Sequence, residues 1–576
     1  MNKFIFLLFI HSISSCSQNK LPKDNIPKDN IPKDYFRPPL DIPMELSGCF
    51  GELRPNHFHS GFDIKTNKKE GLKVYAVADG YISRIKISSF GYGKAIYVTH
   101  PNGYTTLYGH LSSGFGKIEA FIKTNQYNLQ AYEIELFLKP QDLPVSKGDV
   151  IALSGNTGGS GGPHLHFEFR DSKTENIINP MLFGYNKYVK DTTKPTITSL
   201  FVYPINEKSV VNQSNKPVAI NLIMQQDGNY LAQKIKASGK IGFGIGTFDS
   251  FDNSYNKYGV YEVGVFNNGK SIFDYKFDTF SFEAFRYINA LLDYTKLKLT
   301  NQKIQRLFMK NPYPLTVIST NETNGVLNIG TENMSQVYKI QVADFNHNIR
   351  QVLIPIDYSE DIANNIIEVK KSKYLVKCNN ENIFSLSNAE VVFPEKIFYE
   401  DFYMDFNVIN DTVYLHNDTV PVHNNFTLSI ESTKYSEQEM QKMFIGKYEN
   451  KQTTYIPTTR KGNLFSIKNK ELGVFCLAKD VIAPKISISK PIEGLNLSKS
   501  KNIQLKISDD FSGIKSYNGY LNGKWVLMEY EHKLKKLIYN FEDKMTIQGK
   551  NIFKLEVIDN VGNSATFETW FDFYTN

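Results

Sequence analysis

The chain has 576 residues, 41% hydrophobic and 22% charged, which is length enough for about four domains and too apolar for wholesale disorder. A net charge of +7, spread without a dense basic run, argues against a nucleic-acid footprint, and four cysteines exclude a disulfide scaffold. Aromatic residues make up 13%, with 34 tyrosines, 41 phenylalanines and two tryptophans; with frequent turn residues this points to a mainly β protein.

The chain opens on Lys3, the apolar run Phe4 to Ile10, and Ile13-Ser14-Ser15-Cys16. A charged start, a short apolar core and small residues predict a secretory signal over residues 1–15, too short to span a bilayer. The last four residues resemble a bacterial lipobox, which implies a lipidated Cys16, a membrane anchor and a place in the cell envelope, facing the periplasm or the cell surface. Next comes PKDNIPKDNIPKDYF, residues 22–36, with prolines every five residues; it predicts an extended, solvated tether over about 16–40. Cys49, Cys378 and Cys476 are too scattered for a framework and read as buried thiols.

Six of the 11 histidines lie between 57 and 166: His57, His59, His100, His110, His164 and His166. Lys94 to His110 is two alternating runs joined by Pro101-Asn102-Gly103, a strong hairpin signal. Val150 to Ser154 predicts a strand, followed by the glycine-rich GNTGGSGG and then HLHFEFR, residues 164–170. In that last run Leu165, Phe167 and Phe169 face one way, and His164, His166, Glu168 and Arg170 the other. Upstream, HSGFD separates His59 and Asp63 by four residues, which share a face on an extended strand. Imidazoles and a carboxylate in this number suit a catalytic zinc that keeps one position open for water. A structural zinc would more often be closed by cysteines, and none lie near.

Taken together, HSGFD, the YGHL of Tyr108 to Leu111 and the GNTG…GPHLHF run resemble the lysostaphin-type, LytM-like zinc peptidase family, over about residues 45–190. The resemblance implies a small antiparallel β fold with an open groove and cleavage of peptide cross-links in bacterial peptidoglycan. It implies one Zn2+ held by His59, Asp63 and His166, with His110 and His164 as the catalytic pair that holds no metal. The alternative is a non-catalytic LytM-like scaffold that binds or activates another cell-wall hydrolase; such members usually lack the metal ligands, and all five residues are present here.

No HExxH helix supplies a glutamate base, so neutral histidines are the natural proton carriers. Glu168 either holds the His166 imidazole or opposes Arg170. His57 and His100 stay outside the site. A stretch of about 112–146 exceeds the compact family pattern; Tyr132, Ile134, Leu136 and Leu138 alternate with Glu133 and Glu135, which predicts inserted strands.

Beyond the connector Asp191 to Pro195, alternating runs predict an immunoglobulin-like β domain over about 195–357, a β module over 358–479 and a second immunoglobulin-like domain over 484–576. The second connector, Asp480 to Pro484, parallels the first. VADFNHNIRQVLIPI (342–356) and VIDNVGNSATFETW (557–570) read as closing hairpins, and Phe282 to Leu297 as an inserted helix. The aspartates of FDSFDNSYN, residues 248–256, lack the spacing and final glutamate of an EF-hand loop and read as turn residues. These modules are expected to serve as spacers or as surfaces for a protein partner.

Overall fold

In a computed structural model, residues 31–574 are described, apart from 253, 362 and 364–370. The signal segment, Cys16 and the first part of the tether lie outside the described residues. The protein is mainly β. The elements used below in the first domain are β1 (Leu46–Gly48), β2 (Phe62–Lys65), β3 (Gly80–Ile87), β4 (Lys94–Thr99), β5 (Tyr104–Leu111), α1 (Lys117–Leu129), β6 (Ile134–Phe137), β7 (Val150–Leu153) and β8 (His164–Asp171). The main sheet runs β1-β2-β8-β5-β4-β3-β6, antiparallel at every step. The hairpin expected at Pro101-Asn102-Gly103 joins β4 to β5. Leu165, Phe167 and Phe169 of β8 are fully buried, so the alternation of that strand places its histidines on the opposite face.

Two expectations change. The insertion contains a helix as well as a strand: β6 pairs with β3, but residues 117–129 form α1. Ile118, Ile122 and Gln126 recur at four-residue spacing and are its buried positions, a helical stripe masked in the sequence by polar Thr, Asn and Gln neighbours. The tether also ends earlier than residue 40. Ile31, Phe36 and Leu40 are buried in the core, Arg37 N–H donates to Val77 O at 2.9 Å, and the Tyr185 hydroxyl donates to Arg37 O at 2.6 Å. Apolar side chains at those three positions favour burial, whereas the Pro-Lys-Asp repeat before them offers little to bury.

The next domain is built on β9 (Thr196–Pro204), β10 (Ile235–Phe248), α2 (Tyr294–Thr300), β11 (Ser335–Ala343) and β12 (Ile349–Tyr358). The 14-residue β10 pairs antiparallel with β9 near its end and parallel with β12 near its start, joining the sheets into one. The helix expected over Phe282 to Leu297 is broken: the Asp293 carboxylate accepts the Lys296 N–H and starts α2 afresh, and also accepts the Tyr203 hydroxyl. One hydrophobic core runs through both the first domain and this one. The two remaining β modules have cores of their own, spanning Val376 to Phe475 and Leu497 to Phe571. The last module reaches back to the first domain: Lys94 pairs with Glu529 at 2.7 Å, Lys123 with Asp543 at 2.5 Å, and Lys533 donates to Ser160 O at 3.2 Å.

Candidate metal centre

Register assembles the site. In the β8–β2 pairing His166 lies opposite Asp63, and in the β8–β5 pairing it lies opposite Gly109, next to His110. On an extended strand a residue and the fourth after it stand about 13 Å apart, too far to share an ion. The chain solves this with a bend: β2 begins only at Phe62, and His59 folds back over Ser60-Gly61 until its Nε2 is 3.1 Å from Asp63 Oδ1. Gly61 permits that bend, since a Cβ there would fall 2.1 Å from the Phe167 carbonyl oxygen. Gly158 does the same for the glycine-rich turn, at φ +69 with backbone of Gly93 2.3 Å from where a Cβ would be.

His59, Asp63 and His166 each offer a ligand atom within 4.8 Å of the other two, and all three are buried. The separations are 3.1 Å from His59 Nε2 to Asp63 Oδ1, 3.2 Å from His59 Nε2 to His166 Nδ1, and 2.8 Å from His166 Nδ1 to Asp63 Oδ1. Donors bonded at about 2.0–2.2 Å in a tetrahedral zinc sphere stand about 3.3 Å apart, close to this triangle. The surrounding acceptors decide which nitrogen faces inward. Cys49 O takes the Nδ1–H of His59 at 2.8 Å, and the Glu168 carboxylate takes the Nε2–H of His166 at 2.8 Å. Both rings thus turn a lone pair toward the Asp63 carboxylate. Three acceptors at this range repel unless a positive charge lies among them, so the donor set fits a metal ion.

Without an ion, protons on the rings supply that positive charge. Burial raises the Asp63 carboxyl, but the His59, His164 and His166 rings outweigh it and hold it well below the usual range. Burial lowers His166, yet its bonds to Asp63 and Glu168 lift it to about 9. Burial pushes His59 down.

The other two histidines flank this triangle. Their rings are 4.8 Å apart, and His164 Nε2 lies 3.3 Å from Asp63 Oδ1. Each is oriented by a backbone carbonyl that takes its Nδ1–H: Thr157 O for His110 and Gly162 O for His164, both at 2.8 Å. Burial, then the neighbouring imidazoles, lower His110 to about 3, so it is neutral. It also carries φ +57, unusual for a residue with a Cβ, at a bulge where Gly109 and His110 of β5 face Ala95 of β4.

Glu168 does both things its sequence position suggested. Oε1 accepts from His166, and Oε2 accepts from Arg170 Nε at 2.8 Å. Three neighbours were not legible from spacing. The Ser60 hydroxyl donates to Glu168 at 2.5 Å, and the Tyr92 hydroxyl does so at 2.6 Å. Arg54 pairs with Asp63 Oδ2 at 2.5 Å, which ties down that oxygen and leaves Oδ1 for the histidines. Ser60 sits inside HSGFD, but its bond to Glu168, like the contacts of Arg54 and Tyr92, is set by tertiary contacts. His57 turns to Pro55 O, and His100 is buried between Asp79 O and the Thr106 hydroxyl, both away from the triangle.

Against known proteins, residues 57–127 match the Peptidase family M23 model, and residues 373–480, the third expected module, match a Zu5-like domain. An "Uncharacterized metalloprotease" of Haemophilus influenzae is 34% identical over 131 residues, 23% of this chain and 21% of its own. "DD-carboxypeptidase/endopeptidase Mpg" of Neisseria meningitidis is 36% identical over 112 residues, 19% and 20% respectively. The catalytic domain of the antimicrobial peptidase lysostaphin from Staphylococcus simulans is 26% identical, covering 24% of this chain and 91% of that one, with a TM-score of 0.18. The chain spans about a fifth of the length of these two curated relatives. His59 and Asp63 thus lie in the stretch that matches the Peptidase family M23 model, the LytM-like family that the histidine motifs resemble, and His166 joins them from beyond it.

Proposed function

We propose that the protein is a zinc-dependent endopeptidase that hydrolyses peptide cross-links of bacterial peptidoglycan. The observation that carries this is the convergence of His59 Nε2, Asp63 Oδ1 and His166 Nδ1, with His110 and His164 beside them. Two curated relatives named as peptidoglycan-directed or DD-specific peptidases support the substrate class. A zinc ion held by these three side chains would supply a Lewis acid for the scissile carbonyl and an acidified water at neutral pH.

The remaining work falls to this chain's own groups. His110 and His164 spend Nδ1–H on carbonyls, which leaves Nε2 of His110 for proton exchange and turns Nε2 of His164 toward Asp63 Oδ1 at 3.3 Å, at the edge of the triangle. A neutral imidazole there accepts the proton of the attacking water and returns it to the leaving amine. Glu168, braced by Arg170, Ser60 and Tyr92, keeps His166 in the one tautomer whose Nδ1 faces inward. Arg54 holds Asp63 from the other side.

The exported, lipid-anchored state belongs to the same reading. Cys16 would tie the chain to a membrane of the cell envelope, with the proline repeat as leash, and the β modules would offer surfaces to a protein partner. Mass spectrometry of peptidoglycan digested with purified protein tests the activity. New cross-link fragments that vanish on chelation and return with zinc are expected; unchanged fragments with zinc-loaded protein would overturn it. A Cys16→Ser variant is expected to leave the membrane fraction.

A further inference from the structure

A second cluster of metal-binding side chains lies at the seam between the peptidase domain and the first β domain. Asp191 comes from the connector, Asp249 from the end of β10 and Asp344 from the turn after β11. They are distant in sequence, yet each brings a carboxylate oxygen within 4.8 Å of the others. Asp249 and Asp344 are 3% and 1% exposed. Among the described residues none of the three is ion-paired with a Lys, Arg or His. Asp249 Oδ1 is buried with no hydrogen-bond partner. A cavity of about 30 Å³ beside it is lined by Asp249 and Asp344 from one domain and by Cys49, Phe62 and Asn179 from the other. That volume holds about one water-sized body.

The same layout occurs again where the second connector meets the last module, as Asp480, Asp509 and Asp559, and the repeat serves as an internal control. In both, an asparagine four residues on donates to the third aspartate: Asn348 to Asp344 and Asn563 to Asp559, each at 2.7 Å. The difference is the middle carboxylate. Asp509 Oδ1 accepts the N–H groups of Phe511 and Gly513, at 3.1 and 2.6 Å, whereas Asp249 Oδ1 accepts none. One site meets its charge with protein donors; the other leaves an oxygen for something else.

From this we infer that Asp191, Asp249 and Asp344 form a calcium site that clamps the peptidase domain to the first β domain. Two buried carboxylates and a half-buried third without a basic partner call for a cation. An all-oxygen donor set selects a hard divalent ion, and carboxylates brought in irregularly by three separate elements suit the flexible coordination of calcium better than the strict octahedron of magnesium. The clamp reaches the back of the metal centre. Cys49, whose carbonyl orients His59, lines the cavity, and its Sγ contacts Gly259 O at 3.7 Å, next to Tyr258, whose N–H pairs with Asp249 O.

The test uses the full chain, stripped of divalent ions and reloaded with one equivalent of zinc. Calcium chloride is then added under calorimetry, with the thermal midpoint followed in parallel. One calcium per chain with a Kd at or below about 1 mM is expected, together with a midpoint about 3 °C or more higher at 5 mM. Magnesium is expected to shift it by less than half as much. Asp249→Asn should fold, lose the calcium response and be no less stable than calcium-free wild type, because it removes a repelling charge. Asp509→Asn should keep the response. If Asp249→Asn does not fold, Asp191→Asn takes its place. No heat and no shift in wild type, or a full response in the folded Asp249→Asn or Asp191→Asn protein, overturns the proposal. So does a midpoint that rises on acidification to pH 5 and ignores calcium, which would assign the cluster to shared protons.

Discussion

The two donor clusters of this chain differ in chemistry and in construction. The triangle of His59, Asp63 and His166 is two nitrogens and an oxygen, assembled by adjacent paired strands and the Ser60-Gly61 bend. The seam cluster is three oxygens, assembled by a connector, a strand end and a turn that meet only when two domains close on each other. Borderline-soft, tetrahedral zinc suits the first and hard, wide calcium the second. Buried carboxylates thus play two roles: Asp63 is held by Arg54 on one oxygen and shows the other to imidazoles, while Asp249 leaves an oxygen unmatched.

The largest effect expected is a double dissociation. His166→Ala should abolish stoichiometric zinc binding and reduce peptidoglycan cleavage to background while retaining the calcium response. Asp249→Asn should do the reverse, keeping zinc and most activity; metal analysis of both purified variants decides it. If one substitution emptied both sites, the two regions would be a single unit.

Next in size are the two flanking histidines. His110→Ala and His164→Ala should each lower kcat by about 10²–10⁴-fold with zinc content retained, as for loss of a proton carrier. Zinc loss in either variant would turn that residue into a ligand and redraw the triangle. Glu168→Gln should weaken zinc binding by about 10–100-fold, measured by competition with a chromophoric chelator, because the His166 tautomer is then less strongly set. An unchanged affinity would leave the Ser60, Tyr92 and Arg170 contacts as packing alone.

The smallest effect separates metal from protons. Burial holds the His100 imidazole down to about 4, against about 6.5 in the unfolded chain. A histidine with a depressed folded value contributes its stability above pH 6.5 and loses it as the pH falls toward 4. That amounts to up to ~3 kcal/mol. Metal-free protein should therefore lose stability through this window, and His100→Gln should flatten the slope. A slope unaltered by the substitution would assign the acid limb elsewhere.

Much of the peptidase domain was legible because its signals are local. The hairpin at Pro101-Asn102-Gly103, the alternation of HLHFEFR and the spacing in HSGFD report on backbone geometry within a few residues. Other features were not legible for equally physical reasons. The polar residues of α1 hide its apolar stripe, Asp293 breaks an otherwise continuous helical pattern, and Phe36 and Leu40 are buried only because a sheet lies beside them. The expected extended path from His59 to Asp63 could not have brought them to one atom; the bend at Gly61 does.

Sequence by itself determined the mainly β character and singled out the five side chains around the histidine centre, since residue type and short-range periodicity carry that information. Only the tertiary structure decided which ring nitrogen faces inward, that Arg54 and Tyr92 complete the site, and that an aspartate read as a turn residue joins two others 58 and 95 residues away. The reason is that a side chain's partner is set by what folds against it, and that partner is written elsewhere in the chain.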